Sequence, residues 1–451
     1  MTKLVGHGHT FAVMPAFGLD SFWRYWYVIQ NCPAISGDEP DSNGSIYGSE
    51  QLIEFSLTDE QRDVQKLVRE FCAHEVMPTI RERDRNCQFD PTLIPKMAGA
   101  DILGLCLPSE YGGAGLDYVS LGLACEETEY ADTSVRVILS VHVGLVSLPI
   151  LTWGNPEQKS KFMPDLVSAK RIGAFGLTEP NVGSDVVGLQ STADRDGKGY
   201  RLNGEKMWIS LADVADTFLV FAWTDREKMK ARDHSGISAF LLERGMPGLA
   251  TSSIHGKLGV RAGNTGSISM QDVWVAEEDM LGLPGEGFKI AMFCLDQGRF
   301  TVAAGCAGLI RACLDASIAY SETRHTFRRP LRDHQLVKEM IARMAANADI
   351  ARMLWLRAAW LKNSGQVNTR ETALAKWIAA EGAEAAAADA VQVHGAYGFS
   401  DEYPVERFYR NSKGSSIYEG SREIQKIMQA DYALGLRHDE PTRFMLPSFP
   451  A

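Results

Sequence analysis

Along the chain the spacing of hydrophobic and polar positions changes character twice. From Thr58 the apolar residues Val64, Leu67, Val68 and Phe71 recur at helical spacing, and Thr58 followed by Gln61 has the form of a capping box that would start this helix. Pro78 ends or bends it. A glycine-rich loop from Tyr111 to Gly115 leads into further helical stretches that run through Ser168. The longest apolar run, Val137 to Trp153, is interrupted by His142 and several small residues, so it predicts a buried core helix rather than a membrane span. Near Arg171 the pattern shifts to short β-branched and aromatic runs, such as Thr217 to Thr224, Ile237 to Leu242 and Ser267 to Val275, with Asn203-Gly204 as an expected hairpin turn. After Gly287 helical spacing returns over Phe288 to Tyr320, His334 to Leu361 and Thr372 to Val393, and the small residues of Ala383 to Ala390 suit close helix packing.

These patterns predict an α+β multidomain chain. Residues 1–53 form an extension or linker with aromatics around Trp23 to Tyr27 and a Gly/Ser/Asp/Pro-rich stretch from Ser36 to Ser49. A helical domain at 54–170, a β domain at 171–283, a second helical domain at 284–436 and a tail at 437–451 follow. The 451 residues, with 45% hydrophobic and 23% charged, suffice for a large core without disulfides or structural metals. A net charge of −11 argues against nucleic acid or an anionic membrane as partner. The eight cysteines lack any CxxC pair or metal-ligand spacing, and the start of the chain lacks signal-peptide character, so no metal and a cytoplasmic, reducing location are expected.

Four families lose support from missing motifs: no GxGxxG follows a strand, and GxxxxGK[ST], GxSxG and HExxH are absent. Five weaker segments remain. Phe175 to Asp185 offers the Thr178 and Ser184 hydroxyls and backbone donors for a polar ring edge; an ordinary polar loop is the competing reading, and composition favours it. Trp208 and Ser210 share a strand face, as an aromatic slab beside a hydroxyl or as core packing. Arg324 to Phe327 with His334 and Gln335 would suit a pyrophosphate and adenine, or a solvated helix end. Gln392 to Gly398 reads as a helix C-terminus stopped by glycine. Glu419 precedes a helix capped by Ser421, where it either complements the helix dipole or acts as a general base beside Gly420.

Together, in this order, the segments resemble the acyl-CoA dehydrogenase family from about Phe55 to Gly435. The resemblance rests on Thr178-Glu179-Pro180 with Gly183-Ser184-Asp185, Lys206 to Ile209, Lys257 to Arg261 and Gly285 to Phe288. It continues through Leu295 to Arg299, Arg324 to Phe327, Gln392 to Gly395 and Tyr418 to Ser421. It implies an N-terminal helical domain, a middle β domain and a C-terminal four-helix bundle, with FAD bound and a homotetramer formed. The implied reaction is desaturation of an acyl-CoA, Glu419 taking the α-proton while the β-hydride passes to flavin N5 and then to an electron-transfer flavoprotein. By the same resemblance Phe175, Leu177, Thr178, Ser184, Trp208 and Ser210 surround the flavin, Ser184 also touching the CoA arm. Arg324, Thr326, Phe327, His334, Gln335, Gln392, Gly395 and Ala396 hold its tail, partly in a neighbouring subunit. Ser421 and Glu423 lie against the cofactor, and Asp296, Arg299 and Gly420 contact substrate.

Some positions depart from the family pattern. Leu211-Ala212 replace a common Asn-Gly, Arg328 a frequent Gly, and Ala396 a second Gly, while Ser210 keeps the hydroxyl of a usual Thr. Gly298 stands where other members carry the base, leaving Glu419 as the candidate and resembling short-chain and short-branched members. Arg136 falls where glutaryl-CoA dehydrogenases bind a distal carboxylate, although Val135 and Val137 replace a Tyr and a Ser; the favoured expectation is that it reaches solvent or pairs with Glu126, Glu127 or Asp132. The leading expectation is therefore a short- to medium-chain dehydrogenase. The alternatives are a glutaryl-CoA-type decarboxylating dehydrogenase, an acyl-CoA oxidase and a catalytically silent flavoprotein that serves as a binding partner.

Overall fold

The computed structural model describes residues 56–439. The aromatics at Trp23 to Tyr27, Cys32, the stretch from Ser36 to Ser49 and the end of the tail lie outside the described residues. Helices occupy 59–167 and 287–433, on either side in sequence of a sheet that spans 173–281.

The first helical region contains α1 (Asp59–Phe71), a wide five-residue turn at Cys72–Val76, α2 (Ile80–Arg85), α3 (Leu93–Gly99), α4 (Tyr118–Ala131) and α5 (Thr133–Ile138). A second wide-turn stretch at Leu139–Ser147, α6 (Leu148–Trp153) and α7 (Pro156–Val167) complete it. The capping box of α1 forms: Gln61 N donates to Thr58 Oγ1 at 3.2 Å and Thr58 N to Gln61 Oε1 at 3.0 Å. The run from Val137 to Trp153 lies within Thr133–Trp153, a stretch of 21 residues that is long and apolar enough for a membrane span, yet every residue in it is buried within the fold. His142 is accommodated there because both ring nitrogens are used. Nε2 donates to Leu166 O at 2.8 Å, Nδ1 accepts from Gly173 N at 3.1 Å, and burial pulls the imidazole down to about 4, keeping it neutral.

The sheet holds β1 (Gly173–Gly176), β2 (Thr192–Asp196), β3 (Gly199–Ser210), β4 (Thr217–Trp223), β5 (Ile237–Glu243), β6 (Leu249–Ser253), β7 (Thr265–Ala276) and β8 (Met280–Leu281), with α8 (Arg226–Ala231) inserted after β4. Its order is β6-β7-β3-β2-β4-β5-β8, with β1 alongside β4 in parallel. Central β4 is buried at every residue, which explains its unbroken apolar run. The hairpin turn expected at Asn203-Gly204 is corrected by the structure. Both residues lie inside β3, Asn203 pairing with Thr192, and the chain turns instead at Gly197-Lys198. Gly204 is used for a bulge: the register against β7 shifts between Leu202 and Gly204, and a Cβ at 204 would lie 2.3 Å from Ser191 Oγ. A glycine in a strand-like run marks a turn or a bulge alike, and only pairing distinguishes them.

The second helical region has three long helices, α9 (Gly287–Thr323), α10 (Gln335–Asn363) and α11 (Thr369–His394), then α12 (Val405–Ser415) and α13 (Arg422–Ala433). The two-stranded β9 (His325–Thr326) and β10 (Arg329–Pro330) join α9 to α10. Buried Ala383, Ala386, Ala387 and Ala390 let α11 lie close against its neighbours. Gly122 of α4 makes room for Trp355 of α10, since a Cβ there would sit 2.4 Å from the indole. Trp355 Nε1 donates to Glu126, and Glu126 and Glu127 gather Arg69, Arg311 and Arg352 around them, tying α1, α4, α9 and α10 together.

Candidate active site

Glu419 lies on the loop between α12 and α13. It adopts φ 56° and Gly420 follows at φ 83°, two successive left-handed residues of which the first is not a glycine. Such a conformation costs roughly 1–3 kcal/mol and persists only where surrounding contacts enforce it. Those contacts are present. The Glu419 carbonyl accepts from Arg299 Nε and Gln425 Nε2, each at 3.4 Å. The Gly420 carbonyl accepts from Lys376 Nζ at 2.6 Å and Gln425 Nε2 at 3.2 Å. Ser421 caps α13, its Oγ accepting from Ile424 N at 3.4 Å.

The carboxylate of Glu419 lies over Gly298 of α9, where an added Cβ would meet Oε2 at 2.3 Å. Glycine is therefore required at 298 for a reason beyond the absence of a competing base. Burial pushes the Glu419 carboxyl up to about 7, against the opposing pull of Arg136, Lys376 and Arg299. Arg299 is itself buried, held by Asp296 Oδ1 at 2.8 Å, and Asp296 Oδ2 accepts from Thr369 Oγ1 at 2.6 Å.

Arg136 overturns the favoured expectation for it. It is 2% exposed, and its ion-pair partner is Glu129, which shares α4 with the expected Glu126 and Glu127. Nε donates to Glu129 Oε2, Nη1 to Ser140 Oγ at 2.8 Å and Nη2 to the Tyr418 hydroxyl at 2.7 Å. Glu126, Glu127 and Asp132 are engaged elsewhere, Asp132 with Arg407 and Asn411. The cluster continues from Ser140 Oγ to Thr301 Oγ1 at 2.6 Å, and Thr301 Oγ1 donates to Gly298 O at 2.9 Å, beneath the Glu419 carboxylate.

A second set gathers at the sheet. Met207 N donates to Thr178 O at 2.8 Å, which brings Thr178 alongside Trp208. Trp208 is 57% exposed and left-handed (φ 62°) in a second bulge of β3, so it does not pack a core. Phe175 and Ser210 are half-buried, Leu177 is buried, and Ser184 is exposed on the loop. A buried ion pair unnoticed in the sequence anchors this set: Lys206 Nζ donates to Glu179 Oε1 at 2.7 Å, and Glu179 also accepts from Gln190 N and Ser191 N.

A third set lies at helix ends. Arg324 stacks over the Tyr397 ring at 5.7 Å, joining the end of α9 to the loop that carries Gly395 and Ala396. Gly395 ends α11 with φ 59°, as its glycine stop predicts. Thr326 Oγ1 and His334 Nε2 are 3.1 Å apart. Phe327 is 90% exposed and left-handed, and Gln335 and Gln392 are exposed beside these ends. Arg328 holds φ 61° and Leu211 φ 65°, left-handed conformations that strain residues other than glycine. Glu423 is exposed, and its hydrogen bond to Arg422 lowers it to about 2.

Lys376, Gln425, Glu129 and Tyr418 are the site residues that sequence reasoning missed. One signal was available for Lys376: it shares a helical face with Thr372, Ala373, Ala379 and Ala380, all buried, and a charge in such a stripe is unusual.

Comparison with known proteins agrees with this geometry. The models for the acyl-CoA dehydrogenase N-terminal, middle and C-terminal domains match residues 58–170, 174–273 and 285–434. An acyl-CoA dehydrogenase of Bacillus subtilis is 40% identical over 379 residues, covering 84% of this chain and 99% of the relative. The solved butyryl-CoA dehydrogenase from Megasphaera elsdenii superposes with a TM-score of 0.82 at 39% identity, over 84% of this chain and 100% of that one. A glutaryl-coenzyme A dehydrogenase solved as its glutaryl-CoA complex gives a TM-score of 0.81 at 38% identity, over 85% of this chain and 97% of that one. With all three domain models matched in order around a buried carboxylate poised near neutrality, the chain belongs to the acyl-CoA dehydrogenase family of oxidoreductases.

Proposed function

We propose that this chain carries out FAD-dependent α,β-dehydrogenation of an acyl-CoA thioester to the trans-2-enoyl-CoA, with Glu419 as the base and an electron-transfer flavoprotein as the acceptor of electrons. The observation that carries the reading is the Glu419 carboxylate, raised to about 7 by burial and laid over a glycine. A carboxylate with ordinary affinity for protons is a poor base for a carbon acid. One poised near neutral pH is both substantially ionised and basic enough to take the α-proton.

The protein's residues fit the cofactor. Trp208 presents an exposed indole next to the Thr178 loop and the Ser210 hydroxyl, which suits a flat polar ring. The exposed Arg324, Phe327, Gln335 and Gln392 offer a cation, a ring and two amides for a dinucleotide tail. FAD, when bound, supplies the acceptor for the β-hydrogen and its electron pair. Glu419 holds the α-proton on its carboxyl oxygen, and its backbone N–H would donate to the thioester oxygen. Asp296 and Gly420 would contact the CoA arm, and Arg299, held by Asp296, bonds the Glu419 carbonyl of the loop. The assembly is a homotetramer in the cytoplasm; a monomer in sedimentation, or a membrane fraction in lysates, would count against this part.

Anaerobic titration of the yellow protein with a panel of acyl-CoAs tests the reading. Bleaching of the flavin band by at least one of them is expected, and FAD-loaded protein that bleaches with none would refute it.

One observation favours a narrower substrate. Arg136 is sealed beside the base, and the hydrogen bonds to Glu129, Ser140 and Tyr418 occupy three of its guanidinium N–H groups. Guanidinium has about five such groups, so donors remain for a distal carboxylate on the acyl chain. A glutaryl-type chain would then release carbon dioxide after dehydrogenation. Arg136→Lys that keeps butyryl-CoA bleaching but abolishes glutaryl-CoA bleaching supports this reading, and unchanged glutaryl-CoA turnover removes it.

A further inference from the structure

The loop that carries the base is gripped from behind by a cation that no step of the reaction uses. We propose that Lys376 is a positioning residue for Glu419, its ammonium fixing the Gly420 carbonyl and so holding the two left-handed residues of the loop in their working conformation. This rests on the assignment of Glu419 as base.

Lys376 projects from the buried face of α11 and has no exposed surface. Among the described residues it forms no ion pair, and its hydrogen bond is the 2.6 Å donation to Gly420 O. Burying an ammonium without a carboxylate partner is costly, and a methionine would fill the same space more favourably. The groups facing it sharpen the point. Glu419 lies on the loop, Cys306 and Arg299 on α9 and Arg136 on α5, so two cations oppose its charge and one titrating carboxylate favours it. Burial pulls the ammonium down to about 8, which leaves it mainly charged at neutral pH.

The geometry of the grip is specific. Arg299 and Gln425 hold the Glu419 carbonyl, while Lys376 and Gln425 hold the next one. Two successive peptide groups are therefore fixed, which the left-handed pair at Glu419 and Gly420 requires. Removing Lys376 frees the second carbonyl and also removes a positive charge that holds the Glu419 carboxyl down.

Two variants of the FAD-loaded protein separate these effects. K376M removes donor and charge at nearly constant volume, whereas K376Q keeps a donor and loses the charge. For K376M, amide exchange across residues 416–425 should rise at least about tenfold, because a charged hydrogen bond is lost. Its limiting rate of flavin bleaching should fall roughly tenfold to a hundredfold at nearly unchanged half-saturation. The pH midpoint of that rate should move up by roughly half a unit or more. K376Q should exchange within about threefold of wild type while sharing the raised midpoint. A K376M protein with wild-type exchange, rate and midpoint overturns the proposal. If methionine prevents folding, K376A decides: faster amide exchange across residues 416–425 supports the role and wild-type exchange overturns it. The parent assignment is judged separately, since wild-type protein that bleaches with no acyl-CoA refutes Glu419 as base while the exchange data still rule on Lys376.

Discussion

Replacing Gly298 with alanine tests whether the carboxylate's place over α9 governs the reaction. A Cβ at this position would lie 2.3 Å from Glu419 Oε2, 2.5 Å from Cδ and 3.0 Å from Oε1, where ordinary contact begins near 3.4 Å. The carboxyl group must therefore retreat by about 1 Å, and it can, because it is the free end of a side chain while α9 is locked into the bundle. Displacement of about 1 Å from a reacting atom costs on the order of a hundredfold in rate, or about 2.7 kcal/mol in the barrier. The helix itself gains, since alanine replaces glycine in its interior, by roughly 0.5–1 kcal/mol. Activity and stability thus move in opposite directions. Anaerobic stopped-flow bleaching should slow about a hundredfold, while Tm holds or rises by about 1 °C. Bleaching within threefold of wild type would refute the steric argument, and a Tm loss of several degrees would mean that α9 shifts rather than the carboxylate.

Other expectations follow from the same geometry. With Glu419 as the proposed base and burial raising it to about 7, kcat/KM should fall about tenfold per unit as pH drops below that value and level off above it; a flat profile between pH 5 and 8 would refute the assignment. Its raised affinity for protons also makes the charged form a burden on the fold, so stability is lost as pH rises from 4.5 through about 7. Glu419→Gln should therefore lose roughly 10²–10⁴ in rate and yet unfold at higher denaturant than wild type at pH 8, with the difference vanishing near pH 4. Arg136→Met alone should destabilise by about 3–5 kcal/mol because Glu129 is left unpaired, and adding Glu129→Gln should restore most of it in chemical denaturation; additive losses would deny the pair. Arg328→Gly should raise Tm, since its φ of 61° costs arginine about 1–2 kcal/mol that glycine largely avoids; a lowered Tm would show that the side chain contributes more than the strain.

Much of the architecture was legible because it is written locally. The capping box at Thr58, the glycine stop at Gly395 and the periodicity of the three long helices each depend on residues a few positions apart. At Glu419 the neighbouring residues alone leave a helix-dipole role and a general base both open, and the base role follows from the resemblance of Tyr418 to Ser421 to the family. The Asn203-Gly204 turn failed because its meaning depends on Ser191 and on β7, which composition does not disclose. Arg136 failed for the same reason. Its surroundings come from Glu129 on the preceding helix, Ser140 and a tyrosine 282 residues away, and sequence distance alone does not distinguish Glu129 from the nearby Glu126, Glu127 and Asp132. Lys376 and Gln425 act on backbone carbonyls, and a carbonyl has no signature in a sequence.

The wide-turn stretch at Leu139–Ser147 fixes where Arg136 stands relative to α9. Leu148 N reaches back five residues to Val143 O, and Ser147 Oγ takes up His142 O at 2.7 Å. Such a stretch is what an α-helix becomes when one residue is inserted and the ends cannot move. Here the ends are pinned: Arg136 to Glu129 and Tyr418 on one side, Gly144 against Gln297 and Thr301 in the middle, and α6 on the other. Loss of a single residue within it would restore ordinary helical winding and swing one end by about 100°. Arg136 would then leave the base, or the segment beyond Gly144 would turn its other face to α9. In this segment a change of length by one residue would move Arg136 and the face packed on α9 more than any single substitution, so insertions and deletions, rather than exchanges of side chain, are the events to trace when relatives are aligned.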